Sequence, residues 1–363
     1  MSNIETKKEK NGILNKIGGD KLILIVAIIV VFALFTFLNK NFLTWANMVN
    51  LMVAASLVGL VAVGHTYLII AGQNDLSPGS LAAFCGTLAA LLLSKNVPFI
   101  LTVAVVLLAG IATGFFNAWM VNKIKLEAFI ATLVTQNIMR GFAYIICDGK
   151  PISISNKTYL AIGKARFLTI PVSVWLMILA FVIFGFILSK TKFGRNVYAI
   201  GGSQEAARLA GLNPKRIITS CFVIIGALTA VGGIVFSSRM NSGQPAANVN
   251  LEFDAITAVI LGGVSFAGGV GDMFGTILGV ILIQAFNTGL IMVNVSTFWQ
   301  YVARGALLLF ALTSDFIRKE RREKRTSRSK HEKHQIIYET FTQGCVTEYS
   351  KTYIIQILRR KKQ

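Results

Sequence analysis

The chain alternates long apolar runs with short polar or Gly-rich stretches. The runs fall near residues 22–38, 48–70, 80–93, 98–121, 128–147, 171–189, 217–237, 254–267, 273–293 and 298–313. Most are about 17–25 residues long, enough for a helix to cross a ~30 Å hydrocarbon core. This pattern predicts an all-α integral membrane protein with about ten transmembrane helices. The third and eighth runs are short and read as broken or re-entrant segments, which leaves eight full spans as the alternative. Residues 22–170 and 171–316 each hold about five runs, and an odd number per half predicts an inverted repeat. Arg140-Gly141 in the fifth run and Arg304-Gly305 in the tenth are its loose counterparts.

Composition agrees with the pattern. Hydrophobic residues make up 54% of the chain and charged residues 14%, and the mean hydropathy is +0.64. A water-soluble chain of this length needs far more surface charge. The first run follows a Lys-rich leader, residues 1–21, and lacks a small-residue cleavage site, so it reads as a retained helix. Lys7, Lys8, Lys10, Lys16 and Lys21 place the N-terminus on the cytoplasmic side by the positive-inside rule. Ten spans then put Lys123, Lys125, residues 190–216 and the C-terminus on the same side. Residues 148–170 resist this assignment: they carry Lys150, Lys157, Lys164 and Arg166 yet fall outside.

The formal net charge is +20. From Arg318 onward, 14 Lys and Arg stand against 5 Glu, so +9 of it lies in the tail, 317–363. A positive-inside cytoplasmic tail accounts for this without nucleic acid, and low order is expected there. Cys85, Cys147 and Cys221 fall in or at the ends of apolar runs, where they pack as small hydrophobes, and Cys345 lies in the tail. No CxxC spacing exists, so no metal site is indicated.

Three polar stretches carry candidate chemistry. The first, FGRNVYAIGGSQEAARLAGLNP from Phe193 to Pro214, is far longer than a turn between helices needs. Within it, EAARLAGL predicts a short helix with Ala206, Ala207 and Ala210 on one small face and Glu205 and Arg208 in water. Such a helix at a membrane surface suits docking of a soluble partner.

The second stretch is AGQNDLSPGS, from Ala71 to Ser80. Pro78 removes an N–H and pushes the preceding residue out of helical geometry. Asp75 and Ser77 are candidate caps for a helix starting near Ser80. The stretch reads either as a broken helix lining a path or as a capped turn. The third stretch, LGGVSFAGGVGDMFG over Leu261–Gly275, fails the dinucleotide fingerprint and reads as close helix packing or a flexible turn.

Arg140 and Arg304 lie within apolar runs, where they either face a cavity or snorkel to the interface. His65 reads as a satisfied packing residue. Asn74, Asp75, Ser77, Arg140, Gly262, Gly263 and Arg304 are the candidates for lining a translocation path. The chain has no P-loop, HExxH or GxSxG motif, so it is not read as an enzyme and no cofactor is expected in it. Apart from Asp254, acidic residues read as nearly absent from the spans, which argues against ion-coupled transport.

These stretches resemble the permease subunits of bacterial ATP-binding cassette (ABC) importers of the ribose-type monosaccharide branch. NFLTWANMVNLM, AGQNDLSPGS, EAFIATLVTQNIMRGFAYIICDGKPI, FGRNVYAIGGSQEAARLAGLNPKRI and the 261–275 Gly motif occur in the family's order over about residues 20–317. The resemblance implies a multi-pass protein of the bacterial inner membrane, with the permease domain at 22–316. It implies a pore built from two permease copies and an extracytoplasmic sugar-binding protein. It also implies a cytoplasmic ATPase that holds ATP and Mg and docks on Gly201, Glu205, Ala206, Ala207, Arg208, Gly211 and Leu212. The cargo implied is a monosaccharide such as ribose, or a nucleoside or autoinducer-type furanose. An autonomous secondary sugar transporter and a membrane-anchored interaction protein acting through its tail are the alternatives from other classes. Gln73 and Asn74 stand where the family has Gly-Ile, Pro78 stands where it has Val, and residues 319–363 have no counterpart.

Overall fold

The structure, a computed structural model, describes residues 19–342, so most of the leader and the tail beyond 342 lie outside the described residues. Among the described residues thirteen α-helices follow in order. They are α1 (Gly19–Leu38), α2 (Trp45–Ile70), α3 (Pro78–Ser94), α4 (Phe99–Trp119), α5 (Ala128–Ile145), α6 (Lys157–Lys164), α7 (Val172–Lys190), α8 (Lys192–Gly202), α9 (Gln204–Leu209), α10 (Pro214–Met240), α11 (Leu251–Leu261), α12 (Met273–Met292) and α13 (Thr297–Thr342). Six of them, α1, α2, α4, α7, α10 and α12, are long and apolar enough to cross a membrane, and α3 is a shorter apolar helix.

Helices α2 and α10 form the interior. The apolar window of α2 is 89% buried and that of α1 only 11%, so α2 is a central post and α1 a peripheral one. Apolar side chains gain nothing by leaving lipid, so close packing must hold such a bundle together. Small residues supply that packing. Gly110 and Gly114, a GxxxG pair on α4, lie against the backbone of Gly226 and Phe222 on α10, and a Cβ at Gly110 or Gly226 would strike the other's carbonyl. The same device joins α11 to α12 through Gly262 and Gly275. The 261–275 motif therefore does what close approach predicts.

Two short ladders interrupt the helical pattern. β1 (Ile152–Ser153) pairs antiparallel with β4 (Ser242–Gly243), and β2 (Arg166–Phe167) pairs with β3 (Ile170–Pro171) through Leu168 and Thr169, both at positive φ. The second has the primed-turn geometry that suits a two-residue hairpin. Helix α6 is pinned to α10 between them: Tyr159 Oη lies 2.7 Å from Ser237 Oγ, and Ser238 Oγ accepts from Gly163 N at 2.8 Å.

The eighth run shortens to the eleven residues of α11, and the third starts at Pro78. Helix α13 continues through the first part of the tail to Thr342, where the sequence suggested little order.

Candidate functional site

Residues 191–214 form two helices where the sequence suggested a loop holding one. Thr191 Oγ1 accepts from Gly194 N at 3.3 Å and starts α8, whose Val197 and Ile200 are buried one helical face apart. Ser203 Oγ accepts from Ala206 N at 3.2 Å and starts α9. The end of α9 is a Schellman motif: Leu212 N donates to Ala207 O and Gly211 N to Arg208 O, with Gly211 at φ +84°. Asn213 Oδ1 then accepts from Arg216 N and Pro214 opens α10.

Glu205 and Arg208 face outward as expected, but the small face does not hold as read. Ala207 is buried, Leu212 half-buried, and Ala206 and Ala210 exposed. A six-residue helix turns only one narrow face inward. Leu209, which the sequence reading passed over, is 80% exposed on this helix. A shallow groove of about 420 Å³ runs beside it, lined by Gln73, Asn122, Lys125, Glu205, Arg208 and Lys215.

The inner side of this loop rests on two breaks in the bundle. Gly201 lies where a Cβ would collide with Ile70 O, at the end of α2, and would stand 2.5 Å from Gly269 N. Gly269 N itself donates to Ile70 O at 2.8 Å. Tyr198 Oη donates to Gly271 O at 2.7 Å, and burial, then the Asp272 carboxylate, raises its phenol pKa. Asp272 is also paired with Lys21 at 2.9 Å. Helix α8 therefore touches both the 71–77 break and the 262–272 turn.

The 71–77 break is held by Asp75, which is 2% exposed. Its Oδ1 accepts from Ser77 N at 2.7 Å and Ser77 Oγ at 2.6 Å, and its Oδ2 from Asn117 Nδ2 of α4 at 3.3 Å. Asn117 Oδ1 accepts from Thr135 Oγ1 of α5 at 2.6 Å, and Leu76 N donates to Thr132 Oγ1 at 3.0 Å. The expected side-chain cap is not made: α3 begins at Pro78 and Ser77 gives it no side-chain hydrogen bond. Asp75 instead turns the chain and ties it to two neighbouring helices. Asn74 is half-buried, and its Oδ1 has no partner. His65 is fully buried, and neither ring nitrogen has a partner, contrary to the satisfied role expected of it.

Arg140 and Arg304 both reach the opposite end of the bundle, one at the segment before α11 and the other at its first turn. Arg140 Nη1 donates to Pro245 O at 2.6 Å and Ala247 O at 2.8 Å, holding the segment between α10 and α11. Arg304 Nη1 stands 3.7 Å from Asp254 Oδ2 in the first turn of α11. Inverted counterparts would lie at opposite ends, so these two arginines do not occupy equivalent places. Acidic residues are also more numerous inside than the sequence reading allowed. Glu252 is 1% exposed and accepts from Gln136 Nε2 at 2.8 Å, and Asp315 is 6% exposed and accepts from Phe266 N at 2.9 Å. Each was missed because its partner is remote in sequence.

Of the seven path candidates, Arg304 lines a cavity, one of about 260 Å³ that it shares with Asp254 and Asn287. Asp75 and Ser77 are buried in hydrogen bonds, Arg140 holds backbone carbonyls, Gly262 packs against Gly275 and Gly263 turns the chain at φ +93°. Among the described residues no group of His, Cys, Asp and Glu is placed to hold a metal ion.

Residues 47–312 match the family model described as branched-chain amino acid transport system / permease component. The chain is 37% identical over 294 residues to the ribose import permease protein of Haemophilus influenzae, covering 80% of this chain and 91% of that one. It is 38% identical over 303 residues to the L-arabinose transport system permease protein of Escherichia coli, covering 84% and 92%. It is 38% identical over 307 residues to the ribose import permease protein of Bacillus subtilis, covering 84% and 94%. No solved structure matches it.

Proposed function

Because the chain belongs to the branched-chain amino acid transport system / permease component family, and within it to the ribose-type monosaccharide permeases of ABC importers, we propose that it forms the pore of an ATP-driven pentose importer whose ATPase docks on α8 and α9. It is a membrane transport subunit and not an enzyme. ATP and Mg are assigned to the partner ATPase. A second permease copy completes the pore and an extracytoplasmic binding protein delivers the sugar.

The ten places for spans are α1 to α5, α7, α10 to α12 and the start of α13. They leave the N-terminus, the 191–214 segment and the tail on the cytoplasmic side, and β1, β4 and α6 outside. The Asp75–Asn117 and Asp254–Asn287 pairs, at the starts of α3 and α11, support an inverted relation between halves better than the two arginines do.

The observation that carries the proposal is the seat of Gly201 between Ile70 O and the Gly269 backbone. An ATPase that grips the exposed residues of α9 pushes through α8 on two backbone breaks at once. Such breaks are places where a membrane helix bundle can change shape, because backbone freed of its helix is tolerated where protein surrounds it.

Recovery of the permease from native membranes in mild detergent tests this. The wild type retains a P-loop ATPase, and Glu205→Lys and Leu209→Glu lose it. ATP-dependent uptake of D-ribose or L-arabinose in proteoliposomes accompanies retention. Uptake that proceeds at the wild-type rate without any ATPase would falsify the proposal.

A further inference from the structure

The cavity of about 260 Å³ at the end opposite α8 and α9 carries polar groups on a mostly apolar wall. Ser56 of α2, Arg239 of α10, Asp254 of α11, Gln284 and Asn287 of α12 and Arg304 of α13 contribute polar groups, and Phe236 adds an aromatic ring. Five helices thus bring polar groups to one small cavity, whose wall is completed by apolar residues such as Val53, Leu57 and Val235.

Their hydrogen bonding is unfinished. Gln284 is 5% exposed and lines the cavity. Arg304 Nε is buried without a partner. The bonds to Asp254 Oδ2 are long, 3.4 Å from Asn287 Nδ2 and 3.7 Å from Arg304 Nη1. A buried polar group left unpaired costs about 1–3 kcal/mol, so Arg304 Nε favours an occupant that accepts its hydrogen bond. The space suits water or a small polar solute: at ~30 Å³ each it equals roughly nine waters.

The kind of solute follows from the groups. A carboxylate accepts two hydroxyl protons, guanidinium and amide N–H groups donate to hydroxyl oxygens, and an aromatic face covers the C–H face of a sugar ring. Arg239 and Arg304 against Asp254 leave the wall net positive, which disfavours a free cation. We infer that this cavity is a transit site that holds an uncharged monosaccharide by its hydroxyls on its way through the pore. The inference rests on the permease reading above and names where that reading places its cargo. Gln284 and Asn287 set which hydroxyls are read, because both are buried and fixed on one helix.

The complete importer in proteoliposomes, with its ATPase and binding protein, tests this with radiolabelled D-ribose and L-arabinose. Gln284→Leu and Asn287→Leu should each lower sugar moved per ATP hydrolysed by about tenfold, the worth of one hydrogen bond. Gln284→Asn should recover part of the loss. Leucine variants that move as much sugar per ATP as the wild type would overturn the site.

A labelling arm needs no transport. With the native cysteines replaced, Gln284→Cys should react with N-ethylmaleimide, and a saturating neutral monosaccharide should slow the reaction. Protection by one of a panel of such sugars supports the site, and protection by none overturns it. A wild-type complex that hydrolyses ATP yet takes up neither pentose counts against the pentose assignment alone, because the labelling arm still decides the cavity.

Discussion

Asp75 and Asp254 stand at comparable joints and meet opposite fates. Each lies at the start of a short helix, α3 or α11, and each is reached by an asparagine from the following helix, Asn117 or Asn287. The asparagine contacts are alike, 3.3 and 3.4 Å, but at Asp75 Ser77 adds two short bonds of 2.7 and 2.6 Å, the side chains are buried, and Thr135 closes the network behind Asn117. At Asp254 the bonds are long and the carboxylate opens on a cavity. A buried charge with complete hydrogen bonding fixes a backbone break in place. The same pairing left incomplete keeps polar groups available to a passing solute.

The largest effect should come from breaking the sealed joint. Asp75→Ala leaves Ser77 N–H and the Asn117 amide without their charged acceptor and should cost roughly 3 kcal/mol. Asp254→Ala should cost less, roughly 1–2 kcal/mol, because the contacts it removes are long and Arg304, which it leaves unpaired, is partly exposed. Melting temperatures of the purified protein in one detergent compare the two, and equal losses would erase the distinction between the joints. The asparagines sharpen it. Asn117→Leu should cost roughly 2 kcal/mol and Asn287→Leu under about 1, since Asn117 serves three partners and Asn287 one long contact.

A smaller effect belongs to the contact between α8 and the 262–272 turn. Tyr198→Phe removes the hydrogen bond to Gly271 O and should cost about 1 kcal/mol in melting. Its larger signature is a fall in sugar moved per ATP. The smallest stability effect is expected at Leu209, 80% exposed. Leu209→Glu should leave melting within about 0.5 kcal/mol while ATPase retention is lost. A drop in melting as large as that of Asp75→Ala would mean that Leu209 packs within the protein instead of waiting for a partner.

Much of this was legible in the sequence, and the gaps have physical causes. Long apolar runs announce helices because lipid demands both length and internal hydrogen bonding. Pro78 and the 261–275 glycines announce breaks and close contacts because their backbone constraints are local. The seats of Asp75, Glu252 and Asp254 were not legible. Their partners, Asn117, Gln136 and Asn287, lie 42, 116 and 33 residues away, and no local pattern links them. Helix α8 was hidden for a different reason. Gly194, Gly201 and Gly202 lower helix propensity, yet Val197 and Ile200 bury a face strong enough to outweigh them. Leu209 escaped notice because a single leucine in a short polar helix looks like packing until its exposure is measured.

The seat of Gly201 divides the coupling segment into a portable part and a fixed part. Residues 203–211 mostly face outward, so on the docking proposed above they are the part to exchange for a different ATPase, as one changes a plug and keeps the wiring. Residues 194–201 fit the backbone of this bundle and do not travel: a side chain larger than hydrogen at 201 has no room beside Ile70. A chimera that borrows only the outer stretch should accept a foreign motor and still move this permease's own cargo.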